Sequence, residues 1–205
     1  MNTPRKPSCL WLACLGAALP LCAADVRDFG AKGDGATDDT AAIQKAVNEA
    51  TDGEVRFARG DYRITRTIEV KLFEHGRISL SGSTGVGRVI MAGSGPAFRF
   101  VGTHKGSADP QSFKPGSLAQ ERMPQVDGLE IVGAHEEADG IEFVQVMQPT
   151  LRAVFIREVR HGVRLATRNR NALIDSCHIY NCRGVGVFLD RVNLRIRRGV
   201  VFVVM

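Results

Sequence analysis

The stretch Asp25-Val-Arg-Asp-Phe-Gly-Ala-Lys-Gly-Asp-Gly-Ala-Thr-Asp-Asp-Thr-Ala-Ala-Ile-Gln-Lys-Ala-Val-Asn-Glu-Ala50 decides the fold. It reads as a short strand carrying Val26 and Phe29, then a glycine-punctuated loop, then one amphipathic helix. Gly30, Gly33 and Gly35 supply backbone angles that residues with a Cβ avoid. Thr37 is the predicted N-cap, and Asp38 and Asp39 put negative charge on the first turn, where the helix dipole favours it. Ile43, Ala46, Val47 and Ala50 form a single apolar stripe at helical spacing. Gly53 follows closely enough to help end the helix.

Beyond the helix, apolar and polar residues alternate in short runs, with turns between them and no further helical pattern. Val55/Phe57 and Tyr62/Ile64 mark two strands around Arg59-Gly60-Asp61. Ile78–Gly82, Arg88–Ala92 and Ala97–Val101 mark three more. Residues 102–125 hold three prolines and no periodicity, and read as a loop projecting from the body. Then a repeat begins. Leu129, Val132 and Ala134 lead to Gly140-Ile141, and Leu151, Val154 and Ile156 lead to Gly162-Val163. Ile174, Cys177 and Ile179 lead to Gly184-Val185, so equivalent positions recur every 22 or 23 residues. A period in the low twenties without helices points to a solenoid in which each coil stacks its apolar residues on the next.

Two segments carry a family resemblance: Asp28-Phe29-Gly30-Ala31-Lys32-Gly33-Asp34-Gly35 and Thr37-Asp38-Asp39-Thr40-Ala41-Ala42-Ile43-Gln44-Lys45-Ala46. Together they resemble the N-terminal signature of the pectate-lyase-like superfamily. The resemblance implies an all-β right-handed parallel β-helix whose open N-terminal end is capped by an α-helix at about 38–50. Projecting residues would lie at about 102–125 and regular coils at about 126–194. The superfamily includes pectin lyases, polysaccharide hydrolases, epimerases and phage tailspikes, so the signature speaks to fold more than to reaction.

Composition narrows the function classes. The formal net charge is +5, and Arg5 and Lys6 near the start supply two of those charges. That mild balance suits an acidic polysaccharide, while no basic run interleaved with aromatics argues for nucleic acid. Residues 1–24 read as a signal peptide: Arg5 and Lys6, an apolar run from Cys9 to Leu21, and small residues before Asp25. The run is shorter than the roughly 20 residues of a membrane span, so secretion or periplasmic export without a stable membrane anchor is expected. Only Cys177 and Cys182 follow the leader, too few for a disulfide scaffold, and no Cys/His spacing suggests zinc.

The repeat register predicts outward columns: Glu130, Arg152 and Asp175; Gly133, Phe155 and His178; His135, Arg157 and Tyr180; and Glu142 with Arg164. Columns that alternate in sign satisfy cross-strand pairing by themselves. They are also where chemistry can sit. Cleaving a uronan by β-elimination needs a base and positive charge to stabilise the enolate. Arg152, Asp175 and His178 are the candidate catalytic residues, and Arg157, Arg164 and Tyr180 the candidate substrate-binding residues. The calcium-dependent lyases of the superfamily use an arginine as base, so the resemblance implies calcium as a cofactor.

The enzyme reading is a polysaccharide lyase, with a glycoside hydrolase behind it. The polygalacturonase-like branch carries Asn-Thr-Asp, Asp-Asp, Gly-His-Gly and Arg-Ile-Lys motifs in its later coils, and here the only Asp-Asp pair lies in the cap. A non-catalytic carbohydrate-binding or tailspike-like solenoid and an inactive fragment are the alternatives. After Leu194 the apolar run Val200–Val204 would leave an uncovered solenoid end. The expectation is therefore a chain that continues in a longer gene.

Overall fold

The computed structural model describes residues 23–50, 52–83, 85–105 and 114–190. The chain forms a parallel β-helix with three sheets. It enters through β1 (Ala24–Asp25), a 3-10 turn at Val26–Phe29, β2 (Asp34–Asp38) and helix α1 (Thr40–Glu49). Five three-strand coils follow. They are β3 (Glu54–Arg56), β4 (Gly60–Ile64) and β5 (Ile68–Lys71); then β6 (Ser79–Ser81), β7 (Gly87–Met91) and β8 (Gly95–Val101), with a short helix α2 (Leu72–His75) before them; then β9 (Gln125–Asp127), β10 (Leu129–Gly133) and β11 (Ala138–Val144). The last two are β12 (Thr150–Arg152), β13 (Phe155–Arg157) and β14 (Val163–Ala166), and β15 (Leu173–Asp175), β16 (His178–Tyr180) and β17 (Val187–Asp190).

The first sheet runs β1-β3-β6-β9-β12-β15, the second β2-β4-β7-β10-β13-β16, and the third β5-β8-β11-β14-β17. Every pairing is parallel, as a solenoid winding in one direction requires. The winding is right-handed, as the resemblance implies.

Alternation explains the core. In each strand every second residue points inward, and those residues stack from coil to coil: Val55, Leu80, Val126 and Leu151 in the first sheet, Tyr62, Val89, Ile131 and Ile156 in the second, all fully buried. Phe100 and Phe143 stack inside the third sheet with centroids 5.0 Å apart. At one corner Asn169 is buried with every polar atom bonded: its Oδ1 accepts from Val146 N, and its Nδ2 donates to the carbonyls of Phe143 and Ala166. Gly140 and Gly162 start the third-sheet strands because backbone passes beside them. A Cβ at Gly140 would lie 2.2 Å from the carbonyl of Gly162, and one at Gly162 2.5 Å from that of Gly186.

The cap works differently from the reading of its charges alone. Helix α1 takes the place of a third-sheet strand and packs against β5, burying Ile43, Ala46 and Val47. It starts at Thr40 with Asp39, not Thr37, at the N-cap; the Asp39 side chain makes no cap bond, and Asp38 accepts the Thr40 N–H at 3.1 Å. Thr37 instead donates its hydroxyl to Asp34. Asp39 is buried and bridges the entry loop, accepting the N–H of Lys32 at 2.7 Å and of Gly33 at 3.0 Å. Gln44 closes the sheet edge: its carboxamide accepts from Glu69 N at 2.8 Å and donates to Glu69 O at 2.9 Å. One side-chain amide thus stands in for the peptide group that a preceding strand would offer.

The register corrects three of the predicted columns. Arg152 does pair with Asp175, but their neighbour on the other side is Asp127 rather than Glu130. Glu130 belongs to the second sheet and pairs with Phe155, where Gly133 was expected, and Phe155 pairs with His178. Arg157 pairs with Tyr180 as predicted, but with Val132 rather than His135. The reason is a degenerate pattern. Val126, Leu129 and Ile131 have the same spacing as Leu129, Val132 and Ala134, and it is the former set that matches Leu151, Val154 and Ile156. The column of Glu142 and Arg164 stands as read. The glycine continuing the third-sheet ladder is Gly186, not Gly184, because Val163 pairs with Val187.

Part of the segment between β8 and β9 lies against the body. A helical turn at Ser117–Glu121 buries the Glu121 carboxylate, which accepts from the backbone N–H and hydroxyl of Thr103. The Arg122 carbonyl accepts from Arg77 Nε at 2.8 Å.

Candidate functional site

The six candidate residues lie on three different faces. Arg152 and Asp175 are on the first sheet, Arg157, His178 and Tyr180 on the second, and Arg164 on the third. The structure therefore brings Arg152 to Asp175, and Arg157 to Tyr180, but it does not assemble Arg152, Asp175 and His178 into one constellation. Arg152 bonds Asp127 at 2.6 Å. His178 stacks on Phe155, with centroids 4.9 Å apart. Arg157 bonds Glu130, which Arg88 also holds. Burial alone would raise the Glu130 carboxyl, but the bonds from Arg88 and Arg157 outweigh it and hold it below its ordinary value.

The densest ionic arrangement is on the third sheet, around Arg164. The register stacks Glu69, Arg99, Glu142, Arg164 and Phe188 in one outward column. Glu142 accepts from Arg99 Nε at 2.5 Å and pairs with Arg164 at 3.1 Å. Beside the column, Asp139 at the start of β11 accepts from both Arg160 Nε at 2.9 Å and Arg160 Nη2 at 2.8 Å, a bidentate pair. It also takes the His161 N–H at 3.1 Å and an Arg164 N–H at 3.4 Å.

The layering of this strip matters. Two of its carboxylates lie underneath, Asp139 fully covered and Glu142 7% exposed, while Glu69, which pairs with Arg99 Nη1 at 3.4 Å, is 43% exposed and the side chains of Arg99, Arg160 and Arg164 are 35%, 39% and 23% exposed. Burial works to raise the Asp139 carboxyl, yet the Arg160 bonds, the His161 N–H and the charge of Arg164 prevail and hold it below the usual carboxylate range. The three guanidiniums are thus held by buried carboxylates and stay partly open to solvent. Arg164 Nε is buried with no hydrogen-bond partner among the described residues, and its guanidinium lies 5.8 Å from the centroid of Phe188. His161 stacks on the same ring, and its Nδ1 accepts from Val185 N.

Of this strip the sequence reading found Glu142 and Arg164 and missed Arg99, Asp139, Arg160 and His161. A signal existed. Asp139 precedes Gly140, and Arg160 and His161 precede Gly162, so they occupy the entry to the third-sheet strand in successive coils.

A second concave surface lies on the first sheet, a trough of about 460 Å³ reaching from Asp52 and Glu54 past Ser79 and Ser81 to Gln125, Asp127 and Arg152. Cys177 and Cys182 are free and partly packed against the core, where burial raises both thiols. Among the described residues no group of three His, Cys, Asp or Glu side chains is arranged to hold a metal ion. No helix among the described residues is long and apolar enough to cross a membrane.

The solenoid with its helical cap agrees with what is known by comparison. Residues 23–123 match the family model described as rhamnogalacturonase A/epimerase, pectate lyase-like. The chain belongs to the pectate-lyase-like superfamily. Alginate lyase 7 of Azotobacter vinelandii is 52% identical over 44 residues, 20% of this chain and 5% of that protein. A probable glucan endo-1,3-beta-glucosidase of Arthroderma benhamiae is 56% identical over 46 residues, 22% of this chain and 5% of that protein. The chain thus spans a small fraction of the length of these curated relatives. Among solved structures, ORF18 of Geobacillus virus E2 superposes with a TM-score of 0.59 at 23% identity, covering 82% of this chain and 38% of that one. That likeness carries the fold alone.

Proposed function

We propose that this chain engages an acidic polysaccharide through the arginine strip of the third sheet, and that its chemistry there is β-elimination. The observation that carries the reading is the layering of partly exposed Arg99, Arg160 and Arg164 over buried Asp139 and Glu142. Guanidiniums held in place from below lose little freedom when they take a carboxylate, and they present N–H pairs that match its two oxygens. Alginate, a uronic acid polymer named in one relative, has that chemistry.

The same strip argues against hydrolysis. A glycoside hydrolase needs one carboxyl kept protonated to donate to the leaving oxygen. Asp139 is pushed the other way, towards the ionised form. Elimination instead needs a base for the proton next to the carboxylate and cations for the enolate that forms; three arginines supply the cations, and His161 beside them is the group that would take the proton through Nε2 as the bond to the leaving oxygen breaks.

A second reading, binding without chemistry, has one observation in its favour. His161, the strip's imidazole, already uses Nδ1 to accept the Val185 N–H. The leader-like composition of residues 1–24 supports action outside the cytoplasm.

The test incubates the full chain with alginate and with a neutral β-1,3-glucan. The proposal expects retention on alginate only, with new ultraviolet-absorbing unsaturated ends. Retention without absorbance leaves the binding reading. New reducing ends without absorbance would overturn elimination, and retention on glucan alone would overturn the acidic ligand.

A further inference from the structure

The trough on the first sheet has no part in the strip described above, and its origin is visible in the register. The outward positions of β3, β6 and β9 form two columns, Glu54–Ser79–Gln125 and Arg56–Ser81–Asp127, the second continuing to Arg152. The middle rung contributes only two serines, with Leu80 buried between them. Longer side chains rise on the rungs either side, so the sheet surface sinks along β6. With strands about 4.8 Å apart, the flanking rungs stand about 9.6 Å from each other.

The lining limits what can lie there. A helix, about 10 Å across with its side chains, is too wide for the trough. No aromatic or exposed aliphatic side chain lines it, so an apolar peptide or lipid finds no surface to cover. Its cations are committed: Arg152 bonds Asp127 at 2.6 Å and is followed by Asp175, while Arg77 Nε donates to the Arg122 carbonyl. With Asp52, Glu54 and Asp127 against Arg77 and Arg152, the lining offers a polyanion no excess of positive charge. What remains on offer is the carboxylate of Glu54, the hydroxyls of Ser79 and Ser81 and the amide of Gln125, a mixed set of donors and acceptors on a narrow flat floor.

We infer that this trough is a binding subsite for a neutral, hydroxyl-rich saccharide unit, separate from the third-sheet strip and independent of the reading given to it. Glu54 accepts from sugar hydroxyls, Gln125 and the serines donate and accept, and the Asp127–Arg152 pair forms one rim. The volume is in the range of small-ligand pockets.

The experiment is saturation-transfer NMR on the full chain with cellobiose and maltose as neutral probes and a diuronate as the charged one. At least one neutral disaccharide is expected to bind. Ser81→Trp, which fills the trough from a solvent-facing position, should abolish that signal. Gln125→Ala, milder for folding, should weaken it about fivefold through the loss of an amide partner, and Arg164→Gln should leave it unchanged. Absence of binding by every neutral probe overturns the inference. So does binding that survives Ser81→Trp, binding lost with Arg164→Gln instead, or binding of the diuronate alone.

Discussion

The cap and the third-sheet strip both bury carboxylates, and they use them in opposite ways. In the cap, Asp39 accepts two backbone N–H groups, and Asp38 accepts from Thr40 and from the Thr65 hydroxyl at 2.7 Å. Asp39 is buried and Asp38 lies at the surface, and between them they hold a loop, a helix start and the second sheet together. In the strip, Asp139 and Glu142 are paired with arginines that reach solvent. A carboxylate under backbone amides ends its work there, whereas one under guanidiniums positions groups that still have donors to give. The difference teaches that the Asp-Asp pair of the cap is architecture, and that a site is better sought where the buried charge supports exposed charge.

The sharpest way to break this comparison is in the cap. Asp39→Ala removes two charge-assisted hydrogen bonds to the entry loop, from the N–H groups of exposed Lys32 and half-buried Gly33, so a loss of about 4 kcal/mol is expected in denaturant unfolding. A loss under 1 kcal/mol would mean that the loop finds other partners. Next comes Asp139→Asn, which leaves Arg160 without its anion and Arg164 with Glu142 alone. About 3 kcal/mol is expected, at the low end for a broken buried pair because Arg160 is partly solvated.

The same pairs set the acid limit. Asp139, Glu130 and Asp38 all have carboxyls held below their ordinary values. For Asp38 the hydroxyl and N–H bonds of Thr40 and Thr65 overcome an opposing burial effect. A depressed folded-state pKa gives stability that is present above the unfolded value and is lost as pH falls through the folded one. The melting temperature should therefore hold down to about pH 4 and fall below it, and Asp139→Asn should flatten that fall. An unchanged acid limb would remove Asp139 from the account.

Gln44→Leu keeps the helix stripe but leaves the Glu69 N–H and C=O without partners at the sheet edge. About 2 kcal/mol is expected, with a greater tendency to associate. The smallest stability effect belongs to Arg164→Gln. It removes one of the arginines over Asp139 and Glu142, costs about 1 kcal/mol because Asp139 keeps Arg160 and Glu142 keeps Arg99, and shows its consequence in binding.

Much of the fold was legible. The glycines at 30, 33 and 35 do take positive φ, the stripe of α1 is buried, and the strand positions follow the alternation. Gln44 looked like a polar residue on a helix surface, because nothing local shows that its amide completes a sheet 25 residues away. The site was legible only in part, for a geometric reason. A three-sided coil sends residues three positions apart to different faces, and an apolar pattern that repeats with that same offset allowed the wrong coil alignment. Arg152 and His178 were thereby joined across two sheets, while Asp139, Arg160 and Arg164, 25 residues apart at most, went unconnected.

The most direct measurement of the central claim is affinity electrophoresis of wild type and Arg164→Gln in gels containing alginate or neutral β-1,3-glucan. The account predicts retardation of the wild type by alginate alone, reduced about tenfold in affinity by the substitution, with the two proteins melting within a few degrees of each other. Equal retardation of both proteins, or retardation by the glucan alone, would contradict it.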